Sequence, residues 1–134
     1  VKPMIGLNES RIGIVAPPFL ARQYIDTMGK RQAELALSLG TLFSSEEALK
    51  IGLVDKVLPA EQVRAAARES AEEWVKIPAA ARVASKQLIR GEALRALEQS
   101  RQQDLDHFVG FVTSETAQKS LSAYLKMLAN RRKA

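Results

Sequence analysis

The sequence predicts an α/β chain that is mostly helical and carries about two short strands. Three observations predict it. Apolar residues recur at helical spacing through most of the 134 residues. Glycines and prolines interrupt them where helices should start and stop. The β-rich stretches are short and confined to residues 4–8 and 53–58.

The elements follow in order. Met4, Ile5, Gly6 and Leu7 form an apolar stretch that reads as a buried strand over 4–8. A loop follows over 8–16, closed by Pro17 and Pro18. A helix is expected over 18–28, because a proline in the first turn lacks only an N–H that would have no partner. Gly29 ends it, and a second helix covers 30–39 and stops at Gly40. Leu35, Leu39, Ala33 and Ala36 are expected on its apolar side. Ser44 and Glu47 have capping-box spacing, which predicts a short helix over 45–51 stopping at Gly52. Residues 53–58, with Val54 and Val57, are expected as a short strand or extended segment.

From Pro59 onward the reading is almost wholly helical. One helix is expected over 59–76, with Val63, Ala67, Ala71 and Trp74 on one stripe. Pro78 starts another that runs to Arg90 and breaks at Gly91. A long helix over 92–112 carries Leu94, Leu97, Leu105 and Phe108. Ser114 caps the last, where Ala117, Leu121, Tyr124 and Leu128 recur. Two lone strands make no stable sheet, so strands to pair with them are expected elsewhere. The chain opens at Val1, with no initiator methionine or leader, directly into an apolar stretch, and so reads as the back part of a longer protein.

Composition narrows the chemistry. With no cysteine, disulfide frameworks, cysteine-based zinc sites and a cysteine nucleophile are excluded. The single histidine, His107, rules out a multi-histidine metal centre within this chain. No apolar run approaches the roughly 18 residues a membrane span needs. Twenty basic against fifteen acidic side chains leave a charge of +5. That surplus is local: from Thr116 onward there is no acid, and Lys119, Lys126, Arg131, Arg132 and Lys133 are basic. Such a tail is a solvated helix end whose cations complement the helix dipole, or a contact for an anion such as a nucleotide phosphate. Nucleic acid is disfavoured, because the few aromatics (one Trp, two Tyr, four Phe) do not interleave with the basic residues.

Catalytic candidates are few. There is no Gly-rich phosphate loop and no Gly-x-Ser-x-Gly elbow. His107 reads as a partly buried surface histidine, and Glu46, Glu47, Glu72 and Glu73 as solvated acids. Glu9 differs. It directly follows the apolar stretch and is flanked by Ile12 and Ile14. A carboxylate in such surroundings has its charged form disfavoured by desolvation, which suits a general base. The other reading is a salt bridge to Arg11 or another cation, and the residues alone leave both open.

The stretch Ile5-Gly6-Leu7-Asn8-Glu9-Ser10-Arg11-Ile12-Gly13-Ile14-Val15-Ala16-Pro17 resembles the region of the crotonase (enoyl-CoA hydratase/isomerase) superfamily that carries a catalytic glutamate. Ala48-Leu49-Lys50-Ile51-Gly52-Leu53-Val54-Asp55-Lys56-Val57 resembles a second landmark of that superfamily, and Pro78 with Lys86 a third. The segment 114–124 also fits. Leu7-Asn8-Glu9 and Ile14-Val15-Ala16-Pro17 resemble the mitochondrial Δ3,Δ2-enoyl-CoA isomerase branch, since hydratases usually show Gln-Pro-Glu followed by a Gly-Gly-Thr-like run.

The resemblance implies a crotonase-like spiral fold, represented by its mostly helical C-terminal portion. Residues 1–76 would be core with the catalytic glutamate, and 77–134 a helical trimerisation region. It implies an enoyl-CoA isomerase of fatty-acid β-oxidation in the mitochondrial matrix, with no cofactor beyond the CoA of its substrate. Glu9 would be the base that moves one proton from C2 to C4, and Asn8 and Leu7 would line the acyl pocket. The enolate between the two steps needs an oxyanion hole, whose donors in this family lie upstream of the matched region. Hydratases contact a neighbouring subunit's CoA through Glu-Lys-Arg where this chain has Tyr124-Leu125-Lys126-Met127-Leu128, so Lys126, Arg131 or Lys133 would take that role. A hydratase, or a noncatalytic helical oligomerisation module, are the alternative readings.

Overall fold

The computed structural model describes residues 2–131, without the side chain of Arg131. The described residues divide into two compact units, one formed by those up to Asp55 together with those from Gln102 on, the other by Lys56–Arg101.

In the first unit, strand β1 (Met4–Ile5) pairs antiparallel with β2 (Phe43–Ser44), placing Met4 opposite Ser44 and Ile5 opposite Phe43. Between them lie a 3₁₀ turn (Glu9–Ile12) and helices α1 (Pro18–Met28) and α2 (Lys30–Leu39). Helix α3 (Ser45–Lys50) follows β2 directly. Ala36, Phe43 and Ala48 form a small core, with Tyr24, Met28, Ile51, Leu53 and Val54 packed against it. Helix α1 and helix α2 fall where proline and glycine placed them, and Gly40 ends α2 in the left-handed region at φ 56°.

Several expectations are corrected. The first strand is two residues long and exposed, with Met4 53% and Ile5 42% accessible, because it pairs along one edge only. Within this chain β1 pairs with β2. The second strand is Phe43–Ser44, not 53–58. The amides of Leu53 and Val54 instead donate to the Ala48 carbonyl at 2.8 and 3.4 Å, closing the end of α3 and turning both side chains toward the core. On α2, Ala33 and Ala36 are buried while Leu35 and Leu39 are exposed, since at about 100° per residue the leucine pair points about 110° round the helix from the alanine pair.

The capping box on α3 is present in full. The Glu47 amide donates to Ser44 Oγ at 3.2 Å, and the Ser44 amide donates to Glu47 Oε2 at 2.8 Å. Those hydrogen bonds hold the Glu47 carboxyl below its ordinary value of 4.5. A lowered carboxyl pKa stabilises the fold above the ordinary value, and that contribution fades as pH falls through the lower folded value. Through the lost N-cap acceptor, replacing Ser44 with alanine is expected to cost about 1 kcal/mol at neutral pH. Thermal melts should show the gap to the parent narrowing below pH 4.5.

In the second unit, α4 (Ala60–Lys76) carries its expected stripe but buries none of it: Val63 and Trp74 are 51% and 64% accessible. Helix α5 (Ala79–Val112) begins here and runs unbroken into the first unit's residues. The expected stop at Gly91 does not occur. A glycine ends a helix through positive φ, which Gly13, Gly29, Gly40 and Gly52 adopt and Gly91 does not. Inside an alanine-rich helix it costs only about 1 kcal/mol. Leu94 and Leu105 of α5 are exposed and Phe108 is half-buried. In the first unit, α6 (Glu115–Arg131) buries Ala117 and half-buries Leu121 and Tyr124. Ser114 caps it, accepting from the Ala117 amide at 3.3 Å.

Candidate active site

Glu9 stands on a turn closed by its own backbone. The Arg11 amide donates to the Asn8 carbonyl at 3.0 Å, the Gly13 amide to Ser10 at 3.4 Å and the Ile14 amide to Glu9 at 3.1 Å. Gly13, at φ 79°, reverses the chain at the end of the turn. A Cβ added there would lie 2.2 Å from Ser120 Cβ, so α6 rests directly on the turn that carries Glu9.

Glu9 Oε2 is sealed from solvent and has no hydrogen-bond partner among the described residues. A carboxylate oxygen in that position is costly to keep; Arg82 Nε, on α5, is the other buried side-chain atom without a partner among the described residues, and a catalytic role is one reason a fold keeps such an atom. The alternative reading, a salt bridge to Arg11, is not what the structure shows: Arg11 Nε donates to the Leu39 carbonyl at 2.9 Å. Leu7 and Asn8 are half-buried beside Glu9, and the Asn8 side chain makes no helix-capping bond.

Tyr24, which the sequence reading missed, joins this group from α1. Burial raises its hydroxyl above the ordinary value of 10; a backbone hydrogen bond from Leu7 acts against the rise, and the nearby Glu9 charge adds to it. The only sequence signal was its i, i+4 spacing with Met28 on one face of α1; that this face folds back to the Glu9 turn is a tertiary fact. A raised phenol pKa stabilises the fold below 10 and is lost as pH climbs through the folded value. In an alkaline spectrophotometric titration, Tyr24→Phe is expected to delete the component ionising above 10; an unchanged curve would contradict this placement.

The other candidates lie apart from Glu9. Lys126 lines an open depression of about 410 Å³ on α6 with Glu115, Gln118, Lys119, Ser122 and Ala123. Lys119 pairs with Glu115 at 2.5 Å. Lys133 and the side chain of Arg131 lie outside the described residues. His107 is exposed on α5. Among the described residues, no helix is long and apolar enough to cross a membrane, and no three His, Asp or Glu side chains are grouped to hold a metal.

Comparison with known proteins decides the family. The profile described as enoyl-CoA hydratase/isomerase matches residues 1–132. The chain belongs to the enoyl-CoA hydratase/isomerase family. Among characterised relatives, mouse mitochondrial enoyl-CoA delta isomerase 1 is 44% identical over 131 residues, covering 98% of this chain and 45% of the relative. The human protein of that name is 43% identical over 124 residues, 92% of this chain and 41% of its own length. The chain thus spans less than half the length of these relatives. The crystal structure of human mitochondrial delta3-delta2-enoyl-CoA isomerase superposes with a TM-score of 0.89 at 41% identity, over 96% of this chain and 50% of that one. Carnitinyl-CoA hydratase from Mycobacterium avium superposes at 0.79 with 23% identity, over 92% of this chain and 49% of that one, a likeness of fold alone. This enoyl-CoA hydratase/isomerase family member therefore has the crotonase fold, here mostly helical with two short antiparallel strands.

Proposed function

We propose that this chain carries the base of a mitochondrial enoyl-CoA delta isomerase, and that Glu9 is that base. The observation that carries the reading is the buried Oε2 of Glu9, to which no group among the described residues donates a hydrogen bond. Likeness to isomerases over 98% of the chain supports it. Glu9 would take the C2 proton of a 3-enoyl-CoA, and the C–H electrons would pass toward the thioester oxygen as an enolate. Returning the same proton to C4 moves the double bond from C3–C4 to C2–C3. One carboxylate suffices, and no water is consumed. Leu7 and Asn8 would line the acyl pocket, and Lys126, with Arg131 and Lys133, would meet the CoA phosphates. We place the enzyme in the mitochondrial matrix, as a trimer whose contacts include the apolar faces of α5 and α6.

The test is product analysis of a 3-enoyl-CoA incubated in D₂O. A trans-2-enoyl-CoA that retains part of the substrate's C2 hydrogen at C4 supports the reading; a 3-hydroxyacyl-CoA would assign a hydratase instead. The 134-residue chain by itself is expected to be inactive. In this reading the enolate's donors come from the other half of the enzyme, and losing even one such donor costs about 2.7–4 kcal/mol of transition-state stabilisation. Adding a separately expressed half that supplies them should restore turnover, and turnover by this chain alone would overturn that division of labour.

A further inference from the structure

Helix α2 ends with no basic residue in its last turn, although its final carbonyls need donors and its dipole favours a cation there. The Gly40 and Thr41 amides serve the Ala36 and Leu37 carbonyls. Two further donors arrive from the turn that holds Glu9. Ser10 Oγ donates to the Leu37 carbonyl, and Arg11 Nε donates to the Leu39 carbonyl at 2.9 Å. The surfaces also touch: a Cβ added to Gly40 would lie 2.8 Å from Arg11 Cγ and 3.2 Å from the Asn8 carbonyl oxygen. The two residues that follow Glu9 are thus fastened to a helix end about thirty residues further along the chain, and Glu9 itself makes no bond that would fix its Oε2.

We propose that Ser10 and Arg11 are positioning residues, which set the place of the Glu9 carboxylate by capping the C-terminus of α2. The inference rests on Glu9 being the base. Both bonds lie at exposed positions, where water competes, so they add little to global stability. Their effect falls on placement, where a displacement of about 1 Å can cost about 10²-fold in rate. Arg11 therefore acts through a hydrogen bond rather than by neutralising Glu9.

The experiment measures steady-state turnover of a 3-enoyl-CoA by the complete isomerase in five forms: parent, Arg11→Met, Arg11→Gln, Arg11→Lys and Ser10→Ala. Arg11→Met and Ser10→Ala are each expected to lower kcat about tenfold or more, with KM within about twofold and the melting temperature nearly unchanged. Arg11→Gln should recover most of the loss, because its amide N–H can still reach the Leu39 carbonyl. An unchanged kcat in Arg11→Met, a change confined to KM, or rescue by lysine but not glutamine would each overturn the proposal. If Arg11→Met fails to fold, Ser10→Ala carries the same readouts. A parent that makes no 2-enoyl-CoA would defeat the isomerase reading alone. Hydrogen exchange at the Ile14 amide, which bonds to the Glu9 carbonyl, then decides the fastening separately. Faster exchange in both variants supports it, and unchanged exchange overturns it.

Discussion

Exchange of Glu9 for glutamine is expected to lower isomerisation by at least about 10² to 10⁴, the usual cost of removing an essential proton carrier. The amide keeps the shape of the side chain but cannot accept a proton at C2 and return it at C4. Substrate affinity should move little, since the two side chains fill the same space. Stability is expected to stay level or to rise, because the variant relieves a carboxylate whose Oε2 is buried without a partner. That combination separates a base from a structural acid: a structural Glu9 would lose stability on exchange. Near-normal turnover in the variant, measured by conversion of a 3-enoyl-CoA, would overturn the assignment.

Gly13→Ala is expected to be strongly destabilising in the first unit. Its φ of 79° costs a residue with a side chain about 1–2 kcal/mol. The new Cβ would also lie 2.2 Å from Ser120 Cβ and 2.5 Å from its Oγ, so α6 must shift or the turn must bend. Overpacking of that kind costs about 1–3 kcal/mol more. Adding Ser120→Gly should recover the steric part and leave the backbone part, since Ser120 Cα is an ordinary 3.7 Å away. Chemical denaturation of the two single variants and the double variant measures this coupling. Additive effects would show that α6 does not rest on the turn.

Much of the helical frame was legible because its signals are local. Pro18, Gly29 and Gly40 bound α1 and α2, and Ser44 with Glu47 starts α3, each through backbone chemistry within a few residues. The strands were less legible. Residues 53–58 have the β-branched content of a strand, yet the amides of Leu53 and Val54 found the Ala48 carbonyl, and pairing fell to Phe43–Ser44, where no pattern marked it. Gly91 has the residue type of a helix stop without the positive φ that makes one. The shielding of Glu9 was readable from its apolar neighbours in sequence, whereas the approach of Tyr24 was not, because only the packing of α1 brings it there. Arg11 was readable as a cation near Glu9, but its partner is a main-chain carbonyl, which carries no side-chain signature at all.

The seat of Gly13 against Ser120 joins residues more than a hundred positions apart. Chains are synthesised from the N-terminal end, so Glu9, its turn and α2 leave the ribosome well before α6 exists. Contacts so remote in sequence are slow to form, because a long loop must close before they return any stabilisation. Glu9 is thus made well before the helix that backs its turn. A nascent chain stopped short of Ser120 holds every residue of the Glu9 motif with one side of its turn unbacked. Completion of α6 is the step that makes the carboxylate's setting permanent.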